Sequence, residues 1–328
     1  MRILGLCNPA SGAQPERLDA LKRFASAVTG ASVQMSVAAT HSATDAELAL
    51  AEAALEAADI LLISGGDGTI QHALSWCLHG ERSTPSARRS IPLIALLPAG
   101  STNMTAKDIN SSRGWQRCLD RFLGHIDTSE ILPNASRELV NVRDGDRLQA
   151  GFFVGSGAIV RGIEYCNNVL WAGGAARQER TAGFAMARTI WGVLRKTPPF
   201  DQIDALKVLA NAEQPSAIEH HPEAGALLFA ASTLDRLLVG VRPFWGEQNE
   251  PLPYVLVDRD AKLLTNLPGL LGVPGFSRPV ADAGFHSHNC TNLVLRADSA
   301  YAIDGELFSP QESSLELSVS ESLRFLEL

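Results

Sequence analysis

DILLISGGDGTIQHALSWCL, residues 59–78, is the stretch on which the fold turns. Asp59 to Ile63 form a short apolar run of the kind a strand buried on both faces requires. The run breaks into Gly65-Gly66-Asp67-Gly68-Thr69, and a helix-forming segment follows at once. Glycine admits backbone torsions closed to other residues and lets a ligand approach the main chain. The free N–H groups at the start of the next helix form an anion site. No lysine follows the glycines, so this is not a Walker A loop. Asp67 can bind Mg²⁺, directly or through water, or hold the loop by accepting backbone hydrogen bonds. Thr69, at the helix start, can donate from its hydroxyl.

The pattern repeats on both sides of this stretch. Ile3 to Cys7 reads as a first strand, and Pro15 opens a helix with Leu18, Leu21, Ala25 and Val28 on one face. Ser32 to Ala38 reads as a second strand. Thr44 and Glu47 then suggest a capping box. A further strand, IPLIALL, ends at Pro98. Strands alternating with helices imply a parallel sheet with helices on both faces. Ligands of such sheets bind beyond the carboxyl ends of the strands. Asn8-Pro9-Ala10-Ser11-Gly12, the glycine turn at 65–69 and Pro98-Ala99-Gly100-Ser101-Thr102-Asn103 all fall there. Asn8 and Ser11 offer donors to phosphate oxygens. Ser101, Thr102 and Asn103 can cap the following helix or contact a nucleotide.

From about residue 136 short strands dominate, many with period-two alternation, as in Leu315, Leu317 and Val319. The expected architecture is therefore α/β. An N-terminal open parallel α/β sheet occupies residues 1–135, and a C-terminal, mainly antiparallel β-sandwich domain occupies residues 136–328. A helical insert is predicted over Arg177 to Arg195. Near the end, Asp304-Gly305-Glu306 follows an apolar strand. Asp-Gly is a common hairpin turn. Beside a phosphate site, its carboxylate could also accept a proton from an attacking hydroxyl.

Composition narrows the function classes. A formal net charge of −8 argues against a general nucleic-acid binder. The five cysteines form no CxxC pair and are expected to be reduced thiols rather than a disulfide framework or zinc site. The opening MRILGLCNPASG is not expected to be a signal peptide, and no continuous apolar run approaches the ~18 residues of a membrane span. The segment Trp171 to Phe200 is basic, with Phe184, Ala187, Trp191 and Leu194 on one helical face. It can lie at a membrane interface or cover the second domain's sheet. On a strand His286 and His288 would face the same way, as metal ligands can, but without a Cys or carboxylate at ligand spacing they read as loop or surface residues, and His220-His221 reads as a loop.

The four motifs together resemble the diacylglycerol kinase catalytic-domain family, which includes bacterial soluble lipid kinases and the sphingosine and ceramide kinases. The GGDGT loop is shared with NAD kinases, whereas NPxSG and the late DGE favour lipid kinases. The resemblance implies an ATP site between two domains. Asn8, Gly66, Asp67, Gly68, Thr69, Gly100 and Thr102 line the nucleotide. Asp304 is the general base on a lipid hydroxyl, and Glu306 joins Asp67 in holding Mg²⁺. It implies a cytoplasmic enzyme with a lipid substrate that visits the inner membrane surface transiently, and a homodimer is one arrangement open to it. A soluble acceptor such as NAD, or non-catalytic nucleotide or lipid binding, are the competing readings. Two departures stand out. Met104 follows Asn103 where members often carry an acid, with Asp108 a helical turn further on. Residues 246–251 lack the Asp-Asp-Gly that holds a structural Mg²⁺ in some members.

Overall fold

The computed structural model of the chain describes every residue except 31, 57, 81–90, 101–102, 110–113, 129–132, 171–188, 190, 196, 199, 201–203, 212–216, 235–236, 238–242, 248 and 271. Continuous apolar runs and amphipathic segments alternate first. They fold as β1 (Arg2–Cys7), α1 (Glu16–Val28), β2 (Gln34–Ala39), α2 (Ala43–Glu56), β3 (Ile60–Gly65), α3 (Asp67–His79), β4 (Leu93–Pro98), α4 (Met104–Ile109), α5 (Trp115–Thr128) and β5 (Asn134–Arg137). The order β2-β1-β3-β4 is parallel throughout. Every residue of β3 is buried, as a strand covered on both faces must be. On one face Leu62, Ala95 and Leu97 share a core with Leu21 and Phe24 of α1 and Phe122 of α5. The rings of Phe24 and Phe122 meet edge to face at 6.3 Å.

The helix start predicted at Thr44 lies two positions after the observed box. Ser42 Oγ accepts from Asp45 N at 3.1 Å, and Asp45 Oδ2 accepts from His41 N at 2.8 Å and Ser42 N at 3.1 Å. Those amide hydrogen bonds, that from His41 first, hold the Asp45 carboxyl below its usual range. Ser42-x-x-Asp45 is a capping pattern of the same kind.

The second part is built from β6 (Val140–Asp144), β7 (Arg147–Gly151), β8 (Phe153–Gly157), α6 (Ala158–Tyr165), β9 (Lys207–Ala210), β10 (Ile218–His220), β11 (Ala226–Ser232), β12 (Leu252–Asp258), α7 (Leu263–Leu270), β13 (Phe285–Cys290), β14 (Asn292–Arg296), β15 (Tyr301–Ile303), β16 (Glu306–Phe308) and β17 (Ser314–Val319). Two six-stranded sheets result, β10-β9-β14-β17-β6-β7 and β13-β12-β11-β8-β15-β16. Inward residues of the two sheets form one core, with Val142, Val208, Leu295 and Leu317 from the first and Phe229, Tyr254, Leu256 and Ile303 from the second. Alternation puts Leu315 and Leu317 inside, each 1 % exposed.

The last strand, β18 (Leu323–Leu326), had been expected in the β-rich part. It pairs parallel with β4 and antiparallel with β5, closing the first sheet. The chain thus divides into one unit of Met1–Glu138 with Glu321–Leu328 and another of Leu139–Ser320. The histidines read as loop residues are in strands, His220 in β10 and His286 and His288 in β13. Most of the predicted insert Arg177 to Arg195 lies outside the described residues. Among the described residues, no helix is long and apolar enough to cross a membrane.

Candidate active site

In the first unit the three loops after β1, β3 and β4 meet backbone to backbone. Asn8 leaves β1 with its amide donating to Ser64 O at 2.9 Å, and its Nδ2 donates to Thr69 Oγ1 at 3.0 Å. Its Oδ1 accepts from Ala10 N at 3.0 Å, which tightens the turn. Ser11 Oγ accepts from Gly66 N at 3.2 Å, and Ala99 N donates to Gly65 O at 2.9 Å. A Cβ on Gly100 would sit 2.5 Å from Gly66 Cα, and one on Gly65 would sit 2.5 Å from Thr69 Cβ. Gly12 has φ +66°, in the left-handed region, and its Cβ would lie 2.3 Å from Ala99 O. These glycines therefore let three loops close on one another. Gly66 is the N-cap of the 13-residue α3 and supplies no side-chain cap. The first turn of that helix, Asp67-Gly68-Thr69, keeps the amides from which an anion site is made.

Asp67 holds the loops by accepting backbone hydrogen bonds, one of the roles anticipated for it. Oδ2 accepts from Met104 N at 3.1 Å and Oδ1 from Thr105 N at 3.2 Å, so the carboxylate caps α4 across two loops. Burial pushes its pKa up, and the amide hydrogen bonds only partly offset this. Asn103 is buried with φ +49°, its Oδ1 accepting from Gly100 N at 2.7 Å and its Nδ2 donating to Gly100 O at 2.6 Å. Both ends of its amide are committed to shaping the loop. Asp108, the acid one helical turn on, forms an ion pair with Arg137 at 3.7 Å. Ser101 and Thr102 lie outside the described residues.

Two contributors carried no motif. Arg17 donates from Nη1 to Ala99 O at 2.9 Å, and its guanidinium lies 5.5 Å over the Trp115 ring. Trp115 Nε1 donates to Ser64 Oγ at 2.9 Å, just before the glycine turn. A helical Arg after NPxSG is too common a residue to be singled out from one sequence.

In the second unit Asp304 and Gly305 are the two central residues of the hairpin joining β15 and β16, with φ +48° and +94°. Asp304 is only 5 % exposed. Its Oδ1 accepts from Phe153 N at 2.8 Å and Phe152 N at 3.1 Å, and its Oδ2 accepts from Phe152 N at 3.0 Å. Its own amide donates to Phe153 O at 2.9 Å. A Cβ on Gly151 would fall 2.8 Å from Asp304 Oδ2 and 2.3 Å from Ile303 Cγ2. Gly151 and the amides of residues 152–153 therefore fix where this carboxylate points. Glu306, two positions on, is exposed. Sequence reasoning missed what holds Asp304, because backbone amides leave no signature in side-chain identity.

The same unit clusters the three histidines. The His220 ring lies 4.6 Å from that of His286 and 5.1 Å from that of His288, centroid to centroid. His286 Nε2 and Asp258 Oδ2 are 3.0 Å apart. Among the described residues, no three His, Cys, Asp or Glu side chains are placed to hold a metal ion.

Comparison with known proteins bears on the fold. Residues 2–132 match the family model described as "Diacylglycerol kinase catalytic domain". A crystal structure of a diacylglycerol kinase from Bacillus anthracis str. Sterne superimposes with a TM-score of 0.64 at 15 % identity, covering 100 % of this chain and 97 % of that one. A structure of a candidate diacylglycerol kinase from the same organism gives a TM-score of 0.67 at 14 % identity, with the same coverage. At such identities the structural likeness speaks for the fold alone. No curated protein matches the sequence significantly. Over residues 2–132 the chain is thus similar to the diacylglycerol kinase catalytic domain.

Proposed function

We propose that the chain is an ATP-dependent kinase that transfers the γ-phosphoryl group to a lipid hydroxyl. A kinase-type catalytic domain supports phosphoryl transfer. The observation that carries the reading is the closure of three glycine-containing loops around an uncapped first turn of α3. Phosphoryl transfer depends mainly on positioning and on neutralising charge, and such a turn supplies fixed donors for phosphate oxygens.

Mg²⁺ usually binds through one or two carboxylates together with substrate phosphates and water. The residues of the first unit suit that habit rather than an all-protein cage. Asp67 is the carboxylate among the loops, and its oxygens face the amides of the third loop and the start of α4. When bound, the ion would neutralise charge on the transferring group. Glu306 is the second ligand that the family pattern suggests. Asp304 would accept the proton of the attacking hydroxyl, with Phe152 and Phe153 orienting its oxygens. A lipid acceptor places the enzyme on the cytoplasmic face of a membrane, approached from water.

One observation favours a non-catalytic binder instead. With Met104 replacing the acid and Asp108 paired to Arg137, the third loop brings no second carboxylate to the site. Incubation with γ-labelled ATP, Mg²⁺ and a panel of diacylglycerol, sphingosine, ceramide and NAD decides between these readings. The proposal expects label in a lipid product. Label in NAD alone, or ATP binding with no transfer, would refute it.

A further inference from the structure

The second unit carries an apolar projection that the phosphate site does not use. Between Leu263 and Val280 the chain has one charged residue, Arg278, and no carboxylate. Leu264 is 76 % exposed, Val280 62 %, Phe276 58 % and Val273 40 %. Scattered exposed apolar residues need no explanation, but four large ones on one 18-residue stretch do.

The stretch is preformed. Leu263, Leu267 and Leu270 point inward and join the core of Val255, Val257 and Phe285. Val273 N donates to Pro268 O at 2.9 Å, Gly272 N to Gly269 O at 3.0 Å and Phe276 N to Val273 O at 3.3 Å. Arg278 Nη1 donates to Gly269 O at 2.9 Å, and a Cβ on Gly269 would lie 2.1 Å from Ser277 O. The two limbs are therefore locked together, and the outward apolar groups stay outward.

The geometry points to Leu264, Val273, Phe276 and Val280 as a wedge that docks this protein on the surface of an anionic lipid bilayer. This rests on the lipid-kinase reading for its purpose, but not for its test. Three features favour a bilayer over a protein partner. The tip is convex, since a Cβ on Gly275 would meet nothing within 4 Å. A bilayer accepts a convex tip without a matching hollow. Within the wedge the one charge is the cation Arg278, with Asp260 and Asp282 falling outside it, which suits anionic headgroups. The apolar groups also come from a short loop and one helix face rather than the broad surface a stable dimer buries.

The test is co-sedimentation of the full chain with phosphatidylcholine vesicles containing phosphatidylglycerol, without nucleotide. Wild type should partition onto vesicles, and Leu264→Asp/Phe276→Asp should bind at least tenfold more weakly with an unchanged melting temperature. Phe276→Trp gives an independent readout, a blue shift of its emission on vesicles. Equal partitioning of wild type and the double variant would overturn the proposal. So would unshifted Trp emission, or loss of a dimer in the variant with no vesicle binding by wild type. Failure to phosphorylate any lipid would sink the kinase reading and leave these results untouched.

Discussion

Gly100→Ala is the sharpest perturbation of the loop cluster. The added Cβ would stand 2.5 Å from Gly66 Cα and 3.2 Å from Asn103 Oδ1. An ordinary carbon–carbon contact is about 3.5–4.0 Å, so the two loops must separate by about 1 Å. Both neighbours belong to the proposed phosphate site, since Gly66 caps α3 and Asn103 closes the third loop on Gly100. Overpacking of this kind costs about 1–3 kcal/mol of stability. A displacement of about 1 Å at a reacting site can cost ~10²-fold in rate. Gly30→Ala is the control, because a Cβ there meets nothing within 4 Å. Calorimetric titration of each variant with ATP, beside its melting curve, separates the two effects. Gly100→Ala should bind ATP at least tenfold more weakly while remaining folded, and Gly30→Ala should match wild type. If Gly100→Ala binds ATP like Gly30→Ala, the loops do not form the phosphate site.

Three further outcomes follow from other contacts. Asp67→Ala removes the acceptor for the Met104 and Thr105 amides and should lower stability by about 1–2 kcal/mol, read as a lower melting temperature. Asp304→Asn preserves shape but removes the proposed base, and should lower turnover by about 10²–10⁴-fold while ATP affinity holds, as kinetics beside titration will show. Burial, aided by His286 and His288, pushes the pKa of His220 from 6.5 down to about 4. Between those values the unfolded chain binds the proton and the folded one does not, so stability is full above pH 6.5 and falls as the pH drops toward 4. With the partial exposure of His220 discounted, the loss is about 2 kcal/mol. His220→Phe should flatten melting temperature against pH over that window, and an unchanged acid slope would refute the assignment.

The parallel sheet was legible because buried strands and amphipathic helices write two different periods into the chain. The glycine loops were legible because close backbone approach excludes other residues, as the Gly66–Gly100 contact demonstrates. The return of β18 was not legible. Leu323 to Leu326 suit either sheet, and only their partners, β4 and β5, distinguish the two. The setting of Asp304 was hidden for a related reason. Its hairpin could be read from Asp-Gly, but the two amides that hold its carboxylate belong to residues some 150 positions earlier. Likewise, His-x-His gave no hint that His220, from an edge strand of the other sheet, lies against both rings.

Phosphorus NMR of the protein with ATP, Mg²⁺ and dispersed diacylglycerol tests the central claim most directly. The account predicts that the γ-phosphate signal is replaced, one for one with ADP, by a lipid phosphomonoester. ATP that persists unchanged, or ADP that accumulates with inorganic phosphate alone, would contradict it.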